Sequence, residues 1–161
     1  MFLVGLRPSL ARMTEMVATA ASTIDRGVER CVARRSEIQA AYVFGSAATG
    51  RMRADSDVDV AVLVNESRVG RAGSLSYRLK LMADLGAALH RSDVEVVILN
   101  EAPPLLAHRA LSRGRLVFER SPSARVRFQV RTAARYMDLV PMYETHIRCL
   151  KKSIRERRRV G

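Results

Sequence analysis

The residues best suited to chemistry lie in one short stretch, 45–59. A Gly-Ser pair, Gly45-Ser46, is separated by ten residues from an Asp-x-Asp, Asp57 and Asp59, and apolar runs flank both ends. A glycine-serine turn can hold phosphate, and two carboxylates can hold Mg²⁺. Together they predict chemistry on a nucleoside triphosphate, of the kind that nucleotidyl transfer requires.

The two aspartates are predicted to face the same way. Alternate residues on a strand project to one face, so Asp57 and Asp59 lie about 7 Å apart along the chain. A solvated strand start would explain two acids equally well. However, residues 60–64 are all apolar, which is typical of a strand buried on both faces. This burial favours a metal site at the strand's beginning.

The Gly-Ser pair is predicted to bind phosphate. Gly45 follows an apolar run and lets the backbone turn close to a ligand. The Ser46 hydroxyl adds a hydrogen bond to those of the turn's N–H groups. Arg51 and Arg53 lie between Ser46 and Asp57 and are candidates for further phosphate contacts. Otherwise they are solvated charges on a loop.

A third carboxylate should come from a neighbouring strand. Asp93 and Glu95 both precede or begin the apolar run 94–99 and are two residues apart, so they face one way. One of them could complete a second metal site or deprotonate the attacking hydroxyl. Alternatively, Asp93 is a turn residue and only Glu95 faces the site, or neither does.

Hydrophobic periodicity predicts the elements that position these residues. Helices are expected over 9–39, 74–90, from Pro103-Pro104 to Gly114, and from the cap 121–123 onward, where Pro141 should break or kink the last one. Strands are expected at 40–44, 58–64, 94–99 and 116–119. On the second helix the predicted apolar stripe is Leu75, Leu79, Met82, Leu85 and Leu89. The order indicates an α/β or α+β fold with a small mixed sheet.

Composition restricts the class of protein. A chain of 161 residues is expected to form one domain. Cys31 and Cys149 lack metal-ligand spacing and are read as free thiols in a reducing, cytoplasmic compartment. No apolar run approaches the roughly 20 residues that span a bilayer. Residues 121–161 carry 11 basic and three acidic residues, hence +8 of the net +12, which attracts polyanions or reflects a solvated helix end.

With these residues assembled, the chain resembles the DNA polymerase β nucleotidyltransferase superfamily and, within it, the minimal nucleotidyltransferase (MNT) branch. The signature is Gly45-Ser46, the ten-residue gap and Asp57-x-Asp59. Further similar segments are 40–46, 94–106, 114–120 and 135–138. The resemblance covers about 28–155, which suggests an N-terminal extension at 1–27, a core at 28–120 and a helical C-terminal region at 121–161.

The resemblance implies roles for the site residues. Asp57 and Asp59 would bind Mg²⁺, in a two-metal site with Glu95, while Gly45 and Ser46 would hold the triphosphate of ATP. The family usually has Asp where this chain has Glu95. One extra methylene moves the carboxylate by about 1 Å, and such a misplacement can lower a rate about 10²-fold.

The resemblance also implies a partner. MNT proteins are commonly paired with a HEPN ribonuclease toxin, and several transfer AMP to a toxin tyrosine. By this analogy the chain is an antitoxin nucleotidyltransferase whose last helix binds the toxin through Val126, Val130, Ala133 and Met137. Three alternatives remain: neutralisation by binding alone, transfer to a small molecule of the aminoglycoside type, and nucleic-acid binding through 148–159.

Overall fold

The structure, a computed structural model, describes residues 10–48, 56–69 and 74–160, with side chains described over 21–48, 56–69 and 75–152. The elements in chain order are α1 Leu10–Ala33, β1 Ile38–Phe44, a 3₁₀ turn Gly45–Ala47, β2 Val58–Val64, α2 Glu66–Val69, α3 Ser74–Leu89, β3 Val94–Ile98, α4 Pro104–Arg113, β4 Arg115–Glu119 and α5 Pro122–Val160.

The four strands form one mixed sheet in the order β3-β2-β1-β4. β1 runs antiparallel to both β2 and β4, whereas β2 and β3 are parallel. The predicted small mixed sheet flanked by helices is therefore confirmed, as is the long C-terminal helix. The sheet brings the end of β1 beside the beginnings of β2 and β3, which are the places where the candidate residues stand.

Both faces of the sheet are buried. One face, with Val43, Val60 and Val96, packs under α1 and α3, where Val28 and Leu85 are fully buried. The other face packs under α4 and α5, and its cluster contains Ala40, Tyr42, Ala61, Leu63, Ala107, Ala110 and Phe128. Because side chains alternate along a strand, β2 must be apolar at every position after Asp59, as its sequence is.

Several boundaries differ from the sequence prediction. α1 ends at Ala33, and β1 begins at Ile38, so the helix predicted over 9–39 is too long. Pairing of Ile38 with Val64 and its complete burial outweigh the helical periodicity there. α1 also continues through residue 28 without interruption, and Ile24 on it belongs to the core.

The predicted apolar stripe on α3 is wrong in part. Leu75 and Leu79 are 62% and 54% exposed, whereas Leu81 and Leu85 are fully buried. The helix carries leucines on more than one face, and periodicity cannot choose between two apolar stripes. Contact with α1 and β3 selects the face.

The last helix begins as predicted but is not broken at Pro141. The Ala124 N–H donates to Ser121 Oγ at 3.3 Å, which is the expected cap. The helix continues through Pro141 to Val160, because a proline removes one hydrogen bond and water can satisfy the freed carbonyl of an exposed helix. Within the part of the chain that the structure describes, no helix combines the length and apolar character needed to span a bilayer.

The Asn100 side chain binds the backbone at the end of β2. The Asn100 amide accepts from the Val64 N–H at 3.0 Å and donates to the Val64 carbonyl at 3.0 Å. We expect Asn100→Ala to lower the free energy of unfolding by about 2–3 kcal/mol, since two buried backbone groups lose their partners. Urea unfolding measures this.

The matched control is Asn65→Ala, which removes exposed hydrogen bonds to the Ser67 N–H and hydroxyl. We expect this control to lose about 1 kcal/mol or less. Equal losses in the two variants would contradict the account.

Candidate active site

The predicted site residues meet at one end of the sheet. In the strand register Asp59 pairs with Phe44 on one side and with Glu95 on the other. Paired residues on adjacent strands lie about 5 Å apart. Asp59 is therefore the centre of the site, with Gly45, the residue after Phe44, and Glu95 as its neighbours.

Gly45 approaches the Asp59 carboxylate closely. Its φ is +68°, in the left-handed region that favours glycine. A Cβ added to Gly45 would lie 2.0 Å from Asp59 Oδ2. Both the backbone conformation and the space therefore require glycine, and the turn that follows β1 lies directly against the carboxylate.

The surroundings of Asp59 disfavour its ionised form. Burial raises the pKa of the half-buried Asp59 carboxyl, and the negative charges of Glu95 and Asp57 raise it further. A divalent cation would stabilise the ionised form of Asp59, and carboxylate oxygens are the ligands that Mg²⁺ prefers. The donor set thus fits a metal ion.

The candidate metal ligands lie near one another, but they do not form a complete coordination shell. Among the described residues, no three His, Cys, Asp or Glu side chains are arranged so that they could already hold a metal ion. Asp57 and Glu95 are exposed, so their side chains can reorient. Mg²⁺ also commonly takes part of its coordination shell from water and substrate phosphates.

Of the two candidates for a third carboxylate, only Glu95 stands in register with Asp59. The Arg91 guanidinium holds Asp93 through two N–H groups, with Nε donating to Oδ1 at 2.9 Å and Nη2 to Oδ2. This pairing lowers the pKa of the Asp93 carboxyl. Asp93 is therefore engaged by Arg91, in agreement with its interpretation as a turn residue.

The turn that carries Ser46 is short and well anchored. Ser46 is half-buried in the 3₁₀ turn Gly45–Ala47, and the Ala48 N–H donates to its carbonyl. Arg115 Nη1 donates to the Ala47 carbonyl at 3.4 Å. Arg51 and Arg53 lie outside the described residues.

Two arginines of the site were missed by sequence reasoning. Arg91 also donates through Nη2 to the Ser56 carbonyl at 2.9 Å, and Arg115 binds both oxygens of Asp25 at 2.6 and 2.7 Å. The partners in these contacts are 35, 68 and 90 positions away in sequence. The Arg91–Asp93 pair, two residues apart, could have been suspected from the sequence, but no local pattern reveals the contacts with Ser56, Ala47 and Asp25.

A cavity of about 300 Å³ lies at the other end of the sheet. Its lining includes Glu66 and Asn100, which follow the ends of β2 and β3, together with Arg131, Thr132 and Arg135 of α5. None of the predicted site residues contributes to it. The candidate carboxylates Asp57, Asp59 and Glu95 lie instead where β2 and β3 begin.

Comparison with known proteins agrees with this geometry. The family model "Polymerase beta, Nucleotidyltransferase" matches residues 28–123. The protein adenylyltransferase MntA of Shewanella oneidensis is 30% identical over 103 residues, which cover 64% of this chain and 69% of that protein.

Solved structures share the fold. A chain from a crystal structure of a toxin–antitoxin complex with AMP-PNP superimposes with a TM-score of 0.66 at 23% identity, over 79% of this chain and 98% of that one. A chain from the complex of a tri-AMPylated Shewanella oneidensis HEPN toxin with an MNT antitoxin gives 0.58 at 22% identity, over 84% and 98%. At these identities the similarity establishes the fold.

Proposed function

Since the chain belongs to the polymerase β nucleotidyltransferase family, we propose that it is a cytoplasmic antitoxin that transfers AMP from ATP to a tyrosine of a HEPN ribonuclease toxin. One observation carries the proposal. Asp59 lies between Gly45 of the Gly-Ser turn and Glu95 of β3, with the charge of Asp57 acting on it. The similar MntA, which is a protein adenylyltransferase, supports this choice of acceptor class.

Each residue has a role in this scheme. Asp57, Asp59 and Glu95 would hold two Mg²⁺ ions, which would neutralise charge on the attacking and leaving oxygens. The Gly45–Ala47 turn and the Ser46 hydroxyl would hold the triphosphate and orient its α-phosphate. The tyrosine oxygen would attack that phosphorus in line, the bond to pyrophosphate would break, and the tyrosine proton would pass to a carboxylate. Glu95, which is exposed and in register with Asp59, is the candidate for this base.

The direct test uses the chain, its HEPN partner, ATP and Mg²⁺, with both proteins weighed by intact mass spectrometry. We expect the toxin to gain one or more AMP units, and the gain to disappear when Mg²⁺ is chelated. Parallel reactions with CTP, GTP and UTP establish the nucleotide preference. A stable complex without any mass gain would overturn the transfer reaction.

Glu95 supports a second candidate, an antitoxin that neutralises by binding alone. The extra methylene of a glutamate can misplace the carboxylate by about 1 Å and slow transfer about 10²-fold. Asp57→Ala distinguishes the two mechanisms in cells that express the toxin. Growth is lost if neutralisation needs catalysis and is retained if binding suffices.

We place the toxin-binding surface on α5. The helix carries exposed apolar side chains along most of its length, namely Val126, Val130, Met137, Met142, Ile147 and Leu150. Val126, Val130 and Met137 are spaced by four and seven residues and therefore share one face of the helix. A contiguous exposed apolar patch is typical of a protein interface. Of the four residues predicted from sequence, Val126, Val130 and Met137 are among them, whereas Ala133 is half-buried.

A charge in this surface should weaken the complex. Met137 is 69% exposed, so Met137→Glu is tolerated by the fold but buries a charge on binding. We expect the dissociation constant for the toxin, measured by calorimetry, to rise at least about tenfold. Leu75→Glu is the matched control, because Leu75 is similarly exposed on α3. Unchanged affinity in Met137→Glu would remove Met137 from the interface.

A further inference from the structure

Two arginine–aspartate pairs flank the Gly-Ser and Asp-x-Asp motifs. Arg91 lies in the turn before β3 and pairs with Asp93. Arg115 begins β4 and pairs with Asp25 of α1. Each arginine also donates to a backbone carbonyl, Arg91 through Nη2 to Ser56 and Arg115 through Nη1 to Ala47.

Each of the two carbonyls belongs to a residue directly beside a proposed site residue. Ala47 follows Ser46 directly, and Ser56 precedes Asp57 directly. One carbonyl therefore fixes the exit from the proposed phosphate-binding turn, and the other fixes the approach to the proposed metal-binding carboxylates. A guanidinium is suited to this, because its planar fork binds a carboxylate through two N–H groups and has other N–H groups left.

We propose that Arg91 and Arg115 are positioning residues that hold Asp57 and Ser46 in place through the Ser56 and Ala47 carbonyls. The inference rests on the proposed function, since it gives the two arginines their purpose around the carboxylate site. Neither arginine touches a reacting atom in this scheme. Asp93 and Asp25 act one step further out, by orienting the guanidinium groups.

The backbone around Arg91 is itself tightly fixed. The Arg91 N–H donates to the Gly86 carbonyl at 2.9 Å, and a Cβ on Gly86 would lie 2.8 Å from the Arg91 carbonyl oxygen. The Val58 N–H donates to the Asp93 carbonyl at 2.9 Å. Backbone hydrogen bonds thus connect α3 to the turn before β3, and that turn to the beginning of β2, next to Asp57.

The chain offers a closely matched control. Arg125 pairs with Glu119, and the two side chains are 24% and 27% exposed, against 24% and 28% for Arg91 and Asp93. Glu119 pairs with Ala40 near the start of β1, at the other end of the sheet from Asp59. Arg125→Gln therefore removes an equivalent ion pair without reaching the site.

The first measurement is hydrogen exchange on the full chain without ligand. We expect Arg91→Gln to speed amide exchange in the peptide that covers 56–59 by about tenfold, since the hydrogen bond to the Ser56 carbonyl is lost. Arg115→Gln should do the same for residues 46–48. Arg125→Gln should leave both regions unchanged. Equal exchange in Arg91→Gln and Arg125→Gln would overturn the proposal.

Arg91→Lys separates position from charge. A lysine keeps the positive charge near Asp57 but cannot hold Asp93 with two N–H groups and Ser56 with another. Positioning predicts that Arg91→Lys exchanges as fast as Arg91→Gln. Wild-type exchange in Arg91→Lys would show instead that charge alone matters and would overturn the positioning role.

The second measurement is binding of AMP-PNP with Mg²⁺ by calorimetry. We expect Arg91→Gln to weaken binding about tenfold, because Asp57 is less well held, and Arg125→Gln to bind as wild type does. If wild-type protein does not bind AMP-PNP while exchange responds as expected, the proposed function fails and the positioning role stands. Unchanged nucleotide affinity in Arg91→Gln would show that Ser56 anchoring does not serve the site.

Discussion

Asp59→Asn is expected to reduce AMP transfer about 10³-fold, the scale associated with loss of one preorganised electrostatic contact to the transition state. Asp59 is in register with Glu95 and lies against Gly45, so its carboxylate stands between the proposed metal ligand Glu95 and the proposed phosphate-binding turn. An asparagine preserves the size of the side chain but removes the charge that would hold the metal. Initial rates by mass spectrometry measure the loss.

The same substitution should not weaken the fold. Burial and the charges of Glu95 and Asp57 raise the pKa of Asp59, so its ionised form destabilises the folded state at neutral pH. With metal chelated, we expect Asp59→Asn to melt at the same temperature as wild type or higher at pH 7. The difference should shrink as the pH falls below the raised pKa of Asp59 in the folded state. It should vanish below the ordinary pKa of the unfolded chain, where the carboxyl is neutral in both states.

Asp84→Asn serves as the control for this prediction. Asp84 pairs with Arg35 on the α1–α3 side of the molecule and is 47% exposed, so its loss should change neither transfer nor stability appreciably. Transfer by Asp59→Asn at more than a tenth of the wild-type rate would contradict the role of Asp59.

Gly45→Ala is expected to damage both stability and activity. The left-handed backbone at φ +68° costs a residue with a Cβ about 1–2 kcal/mol. The added methyl would also lie 2.0 Å from Asp59 Oδ2, so the carboxylate must move. A displacement of about 1 Å predicts a loss of about 10² in transfer rate. Urea unfolding and initial rates measure the two effects.

Gly27→Ala is the matched control for Gly45→Ala. Its Cβ would meet the end of the Leu89 side chain at 2.5 Å, which can move, and it lies within α1, where alanine is favoured over glycine. We expect wild-type transfer in this variant. If Gly45→Ala also retained wild-type transfer, the close approach of the turn to Asp59 would have no part in catalysis.

The chain's local patterns determined much of the site. Gly45 was predicted from its position directly after an apolar run. Asp57 and Asp59 were predicted from their spacing of two residues at the beginning of β2. The four strands were also predicted, because each is a short apolar run with turn residues at its ends. These features depend on neighbours within a few residues, where periodicity and turn chemistry act directly.

Tertiary structure alone decided the remaining features. The residues alone left Asp93 and Glu95 as alternatives, and the register between β2 and β3 places Glu95, which the family resemblance had indicated, beside Asp59. Packing of α3 against α1 and β3 buries Leu81 and leaves Leu79 exposed. Arg91 and Arg115 acquired their positions through partners up to 90 residues away. Such pairings form only when distant segments pack together, so their free energy, and therefore their identity, cannot be seen in local sequence.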